Sequence, residues 1–287
     1  MPYATANDGT RLYYKDWGEG RPVVLIHGWP LSGDTFDDAA VALAERGFRV
    51  IVPDRRGFGR SDQPWGGYDY DTFADDVAAV VLEAGVKEPV ALVGFSLGGG
   101  EVARFITRHG AAQVNHAVLI GSVVPFLLKT GDNPNGAPRE VFDGMIDAIR
   151  KDRGDFFRNF FVSFFGEGLV SQAVLEDAWR QAMMAGLKPT LACVRAFSET
   201  DFRPDLSNFS MPTLVIHGVK DATVPIDLTG RTVAKTVPGA KLIEYDDGAH
   251  GIFASHKERL IGDLLEFLGS GGQSSNQQTD ARQNEPA

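Results

Sequence analysis

Short, unbroken apolar runs recur along this chain, and amphipathic stretches of helical period separate them. Val23-Val24-Leu25-Ile26, Val50-Ile51-Val52, Val90-Ala91-Leu92-Val93, Ala117-Val118-Leu119-Ile120 and Thr213-Leu214-Val215-Ile216 carry no charge. Strands covered on both faces read this way. Lys241 to Tyr245 reads as a last strand. Between them, Phe73, Val77, Val80 and Val81 share one helical face; so do Val102, Phe105 and Ile106, and later Leu260, Ile261, Leu264, Leu265 and Leu268. This alternation predicts a mainly parallel sheet flanked by helices.

The alternation lapses between about Pro125 and Asn208. No strand is expected there, and Phe156, Phe157, Phe160, Phe161, Phe164, Phe165, Leu175, Trp179 and Met183 recur at helical spacing. The expected organisation is a core of residues 1–124 and 209–269 that carries a helical cap, residues 125–208. A length of 287 residues suits a core with one such insertion. Residues 270–287 are rich in Gly, Ser, Gln and Asn, lack large apolar side chains, and are expected to form a disordered tail.

Charge and cysteine usage narrow the function classes. The net charge is -10 and no basic stripe appears, which argues against nucleic acid or an anionic membrane as partner. No apolar run approaches the roughly 18 residues of a membrane span. The first residues lack the apolar segment of a secretory signal, so the cytoplasm is the expected location. A single cysteine, Cys193, excludes an intrachain disulfide and a cysteine-rich zinc site. Its apolar neighbours predict a small buried hydrophobe. Homo-oligomerisation stays open.

Chemistry enters at Gly94-Phe95-Ser96-Leu97-Gly98, a G-x-S-x-G pattern. It follows an apolar strand and opens an amphipathic helix, the setting of the nucleophile elbow of an α/β-hydrolase fold. The sharp turn demands small neighbours, which accounts for Gly94 and Gly98. Ser96 is the expected nucleophile. A serine hydroxyl needs a base to take its proton, and on this fold the acid and then the histidine follow the serine in sequence. His217, His250 and His256 follow at a useful distance. His217 ends a strand with no acid between it and the preceding strand, and is expected to be structural. His256 falls inside the last helix and is expected to face solvent. His250 sits in the loop Gly248-Ala249-His250-Gly251 and is the expected base. Asp221, just beyond the strand that carries Ile216, is the expected orienting acid. Asp201, Asp205, Asp246 and Asp247 rival it by type only, and Asp54 is expected to pair with an arginine.

The negative oxygen of a tetrahedral intermediate needs fixed donors. The backbone N–H of Leu97 and that of Trp29, in His27-Gly28-Trp29-Pro30, are the expected pair. Pro30 restricts the residue before it and holds the loop in one shape. His27 is expected to pack the loop. No metal or other cofactor is expected.

With these residues in place, the chain resembles the bacterial arylesterase and cofactor-free haloperoxidase (perhydrolase) family of α/β-hydrolases. The resemblance runs from about Tyr3 to Leu268. It is carried by Tyr13-Tyr14-Lys15-Asp16-Trp17-Gly18, His27-Gly28-Trp29-Pro30-Leu31, Asp54-Arg55-Arg56-Gly57-Phe58-Gly59-Arg60-Ser61, Gly94 to Arg104 and Ala196 to Phe202. It implies Ser96, Asp221 and His250 as triad, and Trp29 and Leu97 as oxyanion donors. It also implies action on short-chain and aryl esters, with a secondary reaction in which hydrogen peroxide replaces water; Pro30 is the residue often found in relatives that favour it. Two departures stand out. Val219 stands where the family's Gly-Asp-x-Asp pattern has its first Asp, with Lys220 before the acid, and Ala249 replaces a proline common before the histidine.

The expected partner is thus a small-molecule ester, held under the cap by Phe126, Phe142, Phe160, Phe164 and Val224. A lactonase, or a perhydrolase as main activity, are the nearest alternatives, and a ligand sensor is a more distant one. A dehalogenase or epoxide hydrolase would carry aspartate where Ser96 stands.

Overall fold

The computed structural model describes residues 2–269; the tail expected from residue 270 lies outside them. The apolar runs become strands of one sheet. Its strands are β1 (Tyr3–Thr5), β2 (Arg11–Trp17), β3 (Arg21–Ile26), β4 (Phe48–Pro53), β5 (Val90–Phe95), β6 (Val114–Ile120), β7 (Thr213–Gly218) and β8 (Lys241–Tyr245). They lie in the order β1-β2-β4-β3-β5-β6-β7-β8. From β4 to β8 all pairing is parallel, whereas β2 runs antiparallel to both β1 and β4. Leu25, Val93 and Leu119 are fully buried at its centre, each stabilising the fold by roughly 1.5–3 kcal/mol.

The sequence pattern did not announce β1 and β2. Arg11, Lys15 and Asp16 interrupt β2, yet Lys15 is buried because its ammonium meets the carboxylates of Asp34 and Asp37. A strand that neutralises its charge this way has no continuous apolar signature.

Helices α1 (Asp37–Ala44), α2 (Tyr70–Glu83), α3 (Leu97–His109), α7 (Gly230–Thr236), α8 (Ile252–Ser255) and α9 (Lys257–Gly269) accompany the sheet. Between β6 and β7 the described chain forms α4 (Arg139–Phe165), α5 (Gln172–Met184) and α6 (Leu187–Glu199), with no strand but two single bridges, Leu128 to Ala137 and Thr130 to Asn133. α4 breaks at Asp152, where the backbone is extended (φ -157°, ψ 93°). The Asp152 carboxylate accepts the N–H of Asp155 at 2.9 Å and so caps the second half. All six of the phenylalanines from Phe156 to Phe165 fall on that half. Among the described residues no helix is long and apolar enough to cross a membrane.

The strand order decides where a site can form. The chain winds from β3 outward to β4, then returns to β5 on the other flank of β3 and proceeds to β6. The winding reverses between β3 and β5, and such a reversal opens a crevice at the carboxyl ends of the two strands. His27-Gly28-Trp29 leaves one strand there and Ser96 leaves the other.

Candidate active site

Ser96 is the only non-glycine residue with positive φ among the described residues (φ 54°, ψ -116°). A side chain in that region is strained, and persists only where its surroundings over-determine it. Here the Ser96 N–H donates to Ile120 O at 2.8 Å, and the Ser96 carbonyl accepts from Gly99 N–H at 3.0 Å. Gly98 permits the close approach that follows: a Cβ there would stand 2.3 Å from Ile26 O. The turn lifts the serine hydroxyl above the sheet at the mouth of the crevice.

The His250 loop joins β8 to α8. Its imidazole Nε2 lies 2.9 Å from Ser96 Oγ, and Nδ1 lies 2.6 Å from Asp221 Oδ2. The imidazole ring packs against Phe95 (centroids 4.9 Å) and edge-on against Phe164 (4.8 Å). Two backbone bonds fasten its loop: Lys220 N–H donates to Gly248 O at 2.9 Å, and Gly251 N–H donates to Phe164 O at 2.7 Å. The first ties it to the segment that carries the acid, the second to the end of α4.

Asp221 is buried beyond β7, and its Oδ1 accepts the N–H groups of Thr223 (2.9 Å) and Val224 (2.7 Å). Burial pushes its carboxyl up. The charge of His250 and hydrogen bonds from His217 and His250 outweigh burial and hold it well below the usual carboxylate range. His217 is therefore nearer the chemistry than its position suggested. Its Nε2 lies 3.3 Å from Asp221 Oδ2 and donates to Val224 O at 2.9 Å. The acid that was missing before His217 in sequence comes four residues after it.

His256 does not face solvent: it is mostly covered, between α8 and α9, with Nε2 3.0 Å from Asp247 and Nδ1 2.9 Å from Ser255 Oγ. Asp205 pairs with Arg104 and Asp201 with Arg203. Asp54 is buried, and its carboxylate binds Arg60 Nε at 2.7 Å and Gly33 N–H at 2.7 Å.

Trp29 and Leu97 both border Ser96. Leu97 opens α3, so its N–H has no intrahelical acceptor. The Trp29 indole donates to Thr190 O in α6 at 3.0 Å, which anchors the loop to the helical segment. His27 is fully buried, and its Nε2 accepts the Arg55 N–H at 2.9 Å. Burial, then the neighbouring charge of Arg55, lowers its basicity and keeps it neutral.

A cavity of about 970 Å³ opens over Ser96 and His250. Phe126, Phe142, Phe160 and Val224 line it together with Trp29. Phe164 does not: it lies on the same face of α4 as Phe156 and Phe160, but one turn further on that face meets His250 and Phe95 instead of the cavity, and the ring is wholly buried there. Asp132, Asn133 and Arg203 add polar atoms to the wall. Sequence reasoning gave no role to Glu101. The available signal was its spacing: it lies four residues from both Leu97 and Phe105, on the buried face of α3.

Comparison with known proteins agrees with this fold. The family model for the alpha/beta hydrolase fold matches residues 21–257. A non-heme haloperoxidase of Rhodococcus erythropolis is 45% identical over 94% of this chain and 100% of its own length. A bifunctional esterase/perhydrolase, DCH, of Acinetobacter calcoaceticus is 43% identical, again over 94% of this chain and all of its own. The crystal structure of a bromoperoxidase from Bacillus anthracis superposes with a TM-score of 0.90 at 43% identity, covering 93% of this chain and 99% of that one. The chain therefore belongs to the α/β-hydrolase fold family, as an enzyme whose relatives include non-heme haloperoxidases and an esterase/perhydrolase.

Proposed function

We propose that this protein is a serine carboxylic-ester hydrolase that turns over short-chain and aryl esters through an acyl-enzyme on Ser96. The observation that carries the proposal is the continuous relay from Ser96 Oγ to His250 to Asp221, at 2.9 and 2.6 Å. His250 Nε2 takes the serine proton as Oγ attacks the ester carbonyl. The carbonyl oxygen becomes an anion, met by the N–H groups of Trp29 and Leu97. The imidazolium, steadied by Asp221, then hands its proton to the departing alkoxide, and an alcohol leaves. Water enters, gives a proton to His250, and its oxygen attacks the acyl carbon; the imidazolium returns that proton to Ser96 Oγ as the acyl bond breaks and the acid departs.

Hydrogen peroxide in place of water would release a peracid by the same steps, and a peracid can oxidise halide. Two observations favour this as a second activity: the relatives named for haloperoxidase and perhydrolase chemistry, and Pro30 in the oxyanion loop. Helices α4 to α6, within residues 125–208, serve in this reading as a cap on a core of residues 1–124 and 209–269. Phe126, Phe142, Phe160 and Val224 form the apolar part of the substrate pocket.

A panel of p-nitrophenyl esters and lactones, with and without peroxide, tests the proposal against wild type and Ser96→Ala. Ester turnover should fall about 10³-fold or more in the variant. Equal turnover by the two proteins would refute it. A wild type that turns over lactones well and open-chain esters poorly would transfer the assignment to a lactonase.

A further inference from the structure

We propose that Arg55 is the positioning residue of the oxyanion hole: its guanidinium straps together the two chain segments that carry the Trp29 and Leu97 donors. The inference rests on the ester-hydrolase reading above. An oxyanion hole works only if both N–H groups stand within about 3 Å of one point in space. Yet the two donors come from different parts of the chain. Leu97 starts α3. Trp29 lies in a loop beyond the end of β3, and the pairing of β3 with β5 stops at Ile26 opposite Gly94. The sheet ladder therefore does not fix His27, Gly28 and Trp29.

Arg55 supplies what the ladder does not. Its Nη2 donates to the backbone carbonyl of His27 at 2.5 Å, and its backbone N–H donates to His27 Nε2 at 2.9 Å. The Nε of the same side chain bonds the carboxylate of Glu101, one turn into α3 from Leu97. One planar group thus holds the loop by its main chain and the helix by a side chain. The Arg55 and Glu101 side chains are 2% and 3% exposed, and Phe58 and Phe73 lie within 6 Å of the guanidinium, at 5.8 and 5.6 Å. The loop in turn presses on the elbow: a Cβ on Gly28 would stand 2.9 Å from Ser96 Cβ. A small shift of the His27 carbonyl therefore changes the gap between the donors.

The energetics favour positioning over stability. A buried ion pair gives back in desolvation much of what it gains by attraction, and apolar replacement of both partners is often neutral. A guanidinium also cannot be exchanged for an ammonium where bonds must leave in two fixed directions.

The test measures p-nitrophenyl acetate kinetics, the affinity of a phenylboronic acid that adds to Ser96 as a tetrahedral anion, and the melting temperature. Arg55→Lys and the paired change Arg55→Met with Glu101→Leu are compared with wild type. The expected result is a kcat reduced about 10- to 100-fold with KM within about twofold, below the loss from deleting a donor outright. Boronate affinity should fall by the same factor, while the paired variant melts within a few degrees of wild type. A folded paired variant with wild-type kcat and wild-type boronate affinity would overturn the proposal. If the paired variant does not fold, Glu101→Leu alone, which removes the acceptor of the Arg55 Nε bond, decides: a loss of about tenfold in both readouts supports the strap, and unchanged values overturn it. Equal ester turnover by wild type and Ser96→Ala would instead bring down the hydrolase reading, and this inference with it.

Discussion

Asp221 meets His250 through one oxygen only. Oδ2 faces the imidazole Nδ1 at 2.6 Å, while Oδ1 is occupied by the N–H groups of Thr223 and Val224. The carboxylate thus cannot rotate away from the imidazole without losing two backbone bonds. Asp221→Asn keeps the shape but places an amide where Nδ1–H needs an acceptor, favouring the wrong tautomer. The expected loss in kcat is about 10⁴-fold with little change in KM, read from steady-state ester hydrolysis at pH 7.5. A loss below tenfold would remove Asp221 from the relay. Its depressed pKa has a stability consequence as well. The stabilisation is complete above its unfolded value of 3.8 and is lost only as pH falls below about 4 through the lower folded value.

Glu101 has the opposite linkage. Burial raises its carboxyl to about 7, against the pull of the Arg55 charge, from an ordinary value of 4.5. The folded state then binds more protons than the unfolded state between pH 4.5 and 7. Stability from this group is fully present below pH 4.5 and is lost as pH rises through 7. Urea melts of wild type and Glu101→Gln from pH 5 to 8.5 should show wild type losing up to roughly 3 kcal/mol relative to the variant as pH rises. A difference that stays level over that range would contradict the raised pKa.

Cys193 lies fully buried in α6, and burial pushes its thiol up to about 12. At pH 8 the thiolate fraction is then roughly one in ten thousand. Ellman's reagent should leave the native protein unmodified for hours and titrate one thiol in 6 M guanidinium. Fast labelling of the native protein would mean the site opens locally.

Phe160 lines the cavity, and its ring contacts Trp29 at 5.8 Å and Phe164 at 5.4 Å. Phe160→Ala should lengthen the pocket. The ratio of kcat/KM for p-nitrophenyl octanoate over acetate should rise about tenfold or more, the scale of a few methylenes gaining a pocket. An unchanged ratio would place the acyl chain elsewhere.

The parallel sheet was legible because a strand buried on both faces must be apolar throughout, as Val23–Ile26 and Val90–Val93 are. β2 escaped notice because Lys15 and Asp16 break its pattern, and only the fold brings Asp34 and Asp37 to that lysine. Ser96, Asp221 and His250 could be named because the turn before α3 and the loops after β7 and β8 each leave local marks in sequence, and the fold sets all three side by side. The partnership of His217 with Asp221 left no such mark. Nor did that of Arg55 with Glu101, where a loop side chain reaches a helix 46 residues on. Phe164 misled for a related reason. Helical spacing groups Phe160 and Phe164 on one face, but it does not say where along the helix the cavity ends and the rings of His250 and Phe95 begin.

The bond from Gly251 N–H to Phe164 O joins the base's own loop to the end of α4. That bond couples the place of the His250 loop to the place of the helix end, so a swing of α4 that kept it would draw the imidazole away from Ser96. The rest of the cavity lining, the segment from Phe126 to Ala137 and Thr232 and Thr236 of α7, is free of that coupling and can yield without disturbing the imidazole.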